Sequence, residues 1–159
     1  KNNFFKIFIG IFFLIYSFYT TFQLRDLYGF NFFIFLILVC VFTDLGGYFF
    51  GKLFKGPKLT KISPKKTFSG ALGSIALATF SISFLFFFLI NNLNIKITII
   101  GIMTSIFCQV GDLFFSYLKR KAQIKDTGNI LPGHGGVLDR LDGILLGIPA
   151  GFLTLITLT

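Results

Sequence analysis

Charge is scarce in this chain: 13% of its 159 residues are charged and only six are acidic, while 54% are hydrophobic. Mean hydropathy is +0.82, which excludes an ordinary soluble domain of this size. The two cysteines, Cys40 and Cys108, lie inside apolar runs and are expected to pack as small apolar residues, so no disulfide or cysteine-based metal site is indicated. No low-complexity tract or internal repeat is present, and the first apolar run lacks the small-residue cleavage site of a removable leader. Because the chain starts at Lys1 and not at Met, we expect a fragment of a longer membrane protein that lacks earlier N-terminal helices.

What the chain has in quantity is long apolar sequence. Residues 7–24, 27–43, 67–95, 97–111 and 143–159 contain no Lys, Arg, Asp or Glu. Each approaches the ~20 residues a helix needs to cross the hydrocarbon core. A helix is the open segment that satisfies its own backbone hydrogen bonds in lipid. The expectation is therefore an all-α, polytopic integral membrane protein of about five transmembrane helices, at 4–23, 30–52, 67–91, 95–119 and 138–158, forming one domain over 1–159. Phenylalanine, at 25 residues, is scattered through these runs without period and fills lipid-facing and core volume.

The net charge of +9 is placed for topology, not for nucleic acid. Lys1, Lys6, the lysines between 52 and 66, and Lys119, Arg120, Lys121, Lys125 and Arg140 put thirteen of the fifteen basic residues on one side of a five-span zigzag. Only Arg25 and Lys96 fall on the other. By the positive-inside rule the basic loops are cytoplasmic. The bland reading of Lys52, Lys55 and Lys58 is thus topology.

Polar groups inside the runs carry more information. Ser105, Gln109, Asp112, Ser116 and Lys119 follow steps of four and three and share one helix face. Hydrogen bonding to neighbouring helices accounts for Ser105 and Gln109. It does not account for Asp112, whose burial without a cation or donor is too costly. Asp139 and Asp142 share a face in the first turn of the last helix, where capping is the simple role and, with Asp112, Mg²⁺ binding the sharper one. Between these helices Gly128, Pro132, Gly133, His134, Gly135 and Gly136 make a loop whose backbone N–H groups can cradle an anion, beside Lys119, Arg120, Lys125 and Arg140. For His134, acid–base work and loop packing stand level. Pro64 disfavours helix at Ser63, and a Ser or Thr is expected to cap the helix that follows Lys65 and Lys66.

The stretch 116–142, SYLKRKAQIKDTGNILPGHGGVLDRLD, closely resembles the signature of the phosphatidate cytidylyltransferases: S-x-hydrophobic-K-R, K-D, H-G-G, then D-R-x-D. The resemblance extends over about 40–145. Ser63-Pro64-Lys65-Lys66-Thr67 is similar to the family's S-P-K-K-T, although Phe68-Ser69-Gly70 stands where the family usually has Trp-Glu-Gly. Asp44, Tyr48, Gly51 and Lys52 resemble its D-x-x-x-Y-x-x-G-basic stretch. The resemblance implies transfer of a cytidylyl group from CTP to phosphatidic acid, giving CDP-diacylglycerol and pyrophosphate. It implies Mg²⁺ on Asp112 and Asp139, with Asp142 added here as a further ligand, and leaves a second cation open. Asp112, Ser116, Lys119 and Asp139 are then the catalytic set. Ser63, Lys65, Lys66, Arg120, Lys125, His134, Gly135, Gly136 and Arg140 bind substrate. The expected setting is the inner membrane of a bacterium with the site on the cytoplasmic face, a homodimer being left open. A CTP-dependent polyprenol or phytol kinase is the alternative enzyme, and an ion transporter or channel lined by Asp44 and Asp112 the alternative class.

Overall fold

The structure, a computed structural model, describes residues 3–60, 62–90, 94–128 and 136–158. Six helices follow one another: α1 (Asn3–Tyr28), α2 (Phe30–Phe54), α3 (Phe68–Ile90), α4 (Ile95–Lys121), α5 (Leu138–Leu141) and α6 (Ile144–Leu158). Among the described residues five segments are long and apolar enough to cross a membrane, α5 and α6 together making the fifth, Leu138–Leu158. The all-α, polytopic expectation holds, and the first four helices end within a few residues of their expected bounds, except that α1 runs on to Tyr28. Phe8, Phe12, Phe22, Phe80, Phe84 and Phe88 all point outward. In water such a surface would aggregate; in a bilayer it is the lipid-facing one.

Interior packing separates two ends. Leu24, Leu36, Ile97, Ile100, Ile148, Phe152 and Leu155 form the main buried cluster, drawn from the end of α1, the first half of α2, the start of α4 and α6. The charged connections lie at the opposite end. Gly29, at φ 87°, is the one residue between α1 and α2, a backbone state that a side chain would disfavour. On the other side of α2, α3 packs so closely that a Cβ on Gly46 would stand 2.7 Å from Ser74 Cα, and one on Gly70 2.7 Å from the Gly47 carbonyl.

The α2–α3 connection is folded, not slack. Lys55 ends α2 in the left-handed region. Leu59 N–H then donates to Lys66 O (2.8 Å) and Phe68 N–H to Pro57 O (3.0 Å), around the single bridge Lys58–Thr67. At its tip Lys66 N–H donates to Ser63 O (3.1 Å), closing a turn with Pro64 where its fixed φ suits. Thr67 Oγ1 accepts Gly70 N–H at 3.1 Å and caps α3, as expected of a Ser or Thr there. This connection therefore presents Lys65 and Lys66 at a defined position.

The last span departs from the expected unbroken helix. It is interrupted at Asp142–Gly143, where α4 crosses at backbone distance: a Cβ on Gly143 would meet Cys108 Sγ at 2.7 Å and Cys108 O at 3.1 Å. Asp142 Oδ1 accepts the Gly143 N–H at 2.9 Å. Farther along, α6 carries Pro149 in its interior. Proline has no N–H, so the carbonyl of Leu145, four residues earlier, loses its helical donor. Ser17 of α1, itself buried, donates its hydroxyl to that carbonyl at 2.9 Å. A proline in one helix is thus answered by a serine in another.

Ser17→Ala leaves that carbonyl unmatched, at a cost of about 1–3 kcal/mol, and is expected to lower the thermal midpoint in detergent. In a Pro149→Ala background, where the N–H is restored, the same substitution is expected to cost far less. Labelling of the buried Cys40 and Cys108 by a thiol-reactive dye as the protein unfolds reads both.

Candidate active site

The polar face of α4 meets a different partner at every turn. Deep in the bundle, Ser105 Oγ accepts from Thr43 Oγ1 of α2 at 2.8 Å, both side chains being buried. One turn on, Gln109 Nε2 donates to Ala71 O of α3 at 3.3 Å. Asp112 receives the ammonium of Lys66 through its Oδ2, and Ser116 Oγ approaches its Oδ1 at 3.4 Å. Lys119 closes the series on Asp139 Oδ1 at 2.8 Å. Contacts with neighbouring helices therefore account for the inner two residues, while Asp112 and Lys119 are paired with opposite charges.

Lys66 and Asp112 border a cavity of about 210 Å³ between α2, α3 and α4. Thr43, Asp44, Tyr48, Lys65 and Gln109 share its wall. Lys66 and Asp112 remain 29% and 28% exposed, so the pair is reachable from the cavity. Asp44 was expected to need a polar partner, and it faces the same space as Lys66 and Asp112. It is the residue that the sequence reading left out of the candidate site. Its signal was an acid inside an apolar span, eight residues before the basic Lys52 at that span's end.

A second cluster lies at the base of the glycine-rich loop. Lys119 pairs with Asp139 at 2.8 Å and with Asp142 at 3.6 Å, and all three are mostly buried. The other oxygen of Asp139 accepts Thr127 N–H (2.8 Å), Thr127 Oγ1 (3.0 Å) and Gly136 N–H (2.8 Å). One carboxylate thereby holds residues 127 and 136 together, and the backbones are so close that a Cβ on Gly136 would stand 2.9 Å from Gly128 N. Thr127 is a further residue that motif reading did not single out. Arg120, Lys125 and Arg140 lie on the exposed surface of this end, while Ser63 forms the turn that carries Lys65 and Lys66. His134 and Gly135 lie outside the described residues.

Among the described residues no three of His, Cys, Asp and Glu converge as a ready metal cage. Mg²⁺ asks for less: one or two carboxylates, with water and phosphate oxygens completing an octahedron. Asp112 fits that demand, open to the cavity with one lysine and one weak hydroxyl contact. Asp139 holds Lys119 on Oδ1, and its Oδ2 is committed to the loop.

If Asp139 holds the loop through Thr127, Thr127→Val removes one donor from Oδ2 and leaves the backbone bond. The thermal midpoint in detergent is then expected to fall by a few degrees, with Thr127→Ser close to wild type. Thermal unfolding of both variants checks this; equal losses in the two would contradict the role of the hydroxyl.

The chain matches the model of the cytidylyltransferase family over residues 1–158. It is 40% identical over 131 residues to a phosphatidate cytidylyltransferase of Helicobacter pylori strain J99, covering 82% of this chain and 49% of that protein. Identity is 49% over 110 residues to that of Rickettsia felis, covering 64% and 48% respectively. With that of Staphylococcus haemolyticus it is 42% over 123 residues, covering 76% and 47%. The chain spans about half the length of the curated relatives it matches. A match that runs almost from end to end places the five spans and both charged clusters inside one family: the chain belongs to the cytidylyltransferase family.

Proposed function

We propose that this chain carries the site at which a cytidylyl group passes from CTP to phosphatidic acid, giving CDP-diacylglycerol and pyrophosphate. The observation that carries the reading is the meeting of Lys66, Asp112 and Asp44 on one cavity at the basic end of the bundle. The relatives' name supports the choice of substrate, and the cavity supports the choice of site. A phosphate monoester is already a competent nucleophile, so the chain needs no serine or cysteine to attack. One oxygen of the phosphatidate phosphate forms the new bond to the α-phosphorus of CTP, and the bond to the leaving pyrophosphate breaks.

What remains for the protein is in-line positioning and neutralisation of negative charge. Asp112, with Asp139 and the neighbouring Asp142, would hold Mg²⁺, which when bound neutralises phosphate charge. Lys65 and Lys66 sit where they can steady the lipid or nucleotide phosphate. Ser116 lies one turn from both Asp112 and Lys119 and can donate to a phosphate oxygen. Lys119 orients Asp139 and Asp142 and is a third cation for the anions. Arg120, Lys125, Arg140 and the glycine-rich loop through Gly136, with His134 and Gly135, complete the triphosphate side. The acyl chains stay in the bilayer, and the site faces the cytoplasm in a bacterial inner membrane. A homodimer and a second cation are compatible with this arrangement.

The test is turnover of CTP labelled at the α-phosphate with phosphatidic acid, with and without Mg²⁺. Label is expected in the lipid only when Mg²⁺ is present. Asp112→Asn and Asp139→Asn are each expected to abolish it while the protein stays folded, because an amide keeps the shape but loses the charge. Asp126→Asn, an exposed loop acid, is expected to retain most activity. Lipid labelled only from the γ-phosphate would indicate a kinase instead, and near-normal rates in either of the first two variants would remove the metal assignment.

A further inference from the structure

The carboxylate best placed for a divalent metal already holds a cation of the protein's own. Lys66 is not a surface lysine that strayed inward. Its backbone is fixed on both sides, the N–H to Ser63 O and the carbonyl to Leu59 N–H, and the next residue caps α3. The hairpin therefore delivers the ammonium to Asp112 by construction. Asp44 borders the same cavity, and Asp142 lies close enough to Asp112 for the two charges to repel. With Lys66 removed, Asp112 would lose the ammonium it holds while other carboxylates stay near, a costly state at the membrane edge. Yet the pair stays more than a quarter exposed to the cavity, unlike Lys119, which is 14% exposed and shared between two carboxylates. Of the two it is the pair that a ligand in the cavity can reach.

We propose that Lys66 is a resident counter-ion that exchanges partners: it neutralises Asp112 in the empty site, leaves when a divalent cation binds there, and turns to the phosphate that the cation carries. The proposal rests on the reading of Asp112 as a metal ligand. Its consequence is that metal and nucleotide are coupled through one side chain. A metal ion alone must displace the lysine, whereas a metal–nucleotide complex offers the displaced lysine a new anion. Empty, the site leaves Asp112 neutralised by Lys66; filled, the metal takes over that role and Lys66 faces the phosphate.

Two measurements test this on detergent-purified protein. In the first, wild-type protein is treated with an amine-acylating reagent and modification at Lys66 is read by mass spectrometry. Modification is expected to be slow in the empty protein, faster with Mg²⁺ alone, and slow again with Mg²⁺ and CTP together. In the second, Mn²⁺ binding is followed by electron paramagnetic resonance. Lys66→Met is expected to bind Mn²⁺ about three- to fivefold more tightly, the equivalent of a partly exposed ion pair of roughly 1 kcal/mol, while gaining less CTP affinity from the metal. Lys66→Arg is expected to follow the wild type. A merely structural lysine would weaken both ligands on removal, and that result, or a reactivity of Lys66 unmoved by Mg²⁺, overturns the exchange. If wild-type protein bound neither Mn²⁺ nor CTP, the reading of the site itself would fall, and the exchange with it.

Discussion

An ionised side chain at the edge of a bilayer has to find an opposite charge or a wet space, and the polar end of this bundle is organised by that demand. Asp112 is met by Lys66 from the α2–α3 connection, and Asp139 and Asp142 are met by Lys119 from α4. These pairs join segments that are distant in the chain, so the two charged connections are anchored to the same helix. The backbone follows the same logic deeper down. Where Pro149 removes a donor from α6, Ser17 of α1 provides one. Where α4 crosses the α5–α6 junction, glycine replaces any side chain that would hold the backbones apart.

This arrangement gives the site two parts with different jobs. Around Lys66 and Asp112 there is a cavity, partial exposure and room for a ligand. Lys119 and Asp139 are mostly buried, and the carboxylate is occupied in holding Thr127 against Gly136. A reaction that moves a nucleotidyl group between phosphates needs both an open place for charge and a fixed frame beside it. One accessible and one buried ion pair along a single face of α4 are what the proposed transfer would draw on.

Much of this was legible from residues alone. Uncharged runs of the right length located the spans, and the steps of four and three from Ser105 to Lys119 identified the inward face of α4. The basic residues marked the end at which the site lies. What could not be read was anything set by contact between segments. The break at Asp142–Gly143 depends on the approach of Cys108, and no local signal marks it, because a glycine in a membrane helix is ordinary. Lys66 was expected to bind substrate from the S-P-K-K-T stretch, and only the folded connection set its ammonium on Asp112. Asp44 stood out as an acid in a span, but only the fold set it across a cavity from that pair. Thr127 lay inside the signature and drew no notice, since its role comes from a carboxylate twelve residues later.

The central claim is that opposite charges, joined across the bundle, hold the polar end together. Charge exchange between Lys66 and Asp112 tests it directly, with thermal unfolding in detergent as the measure. Lys66→Glu and Asp112→Lys, made singly, place like charges together and are each expected to lower the midpoint. The double variant Lys66→Glu/Asp112→Lys restores an opposite pair and is expected to recover most of the loss. A double variant no more stable than the sum of the two single effects would contradict the account.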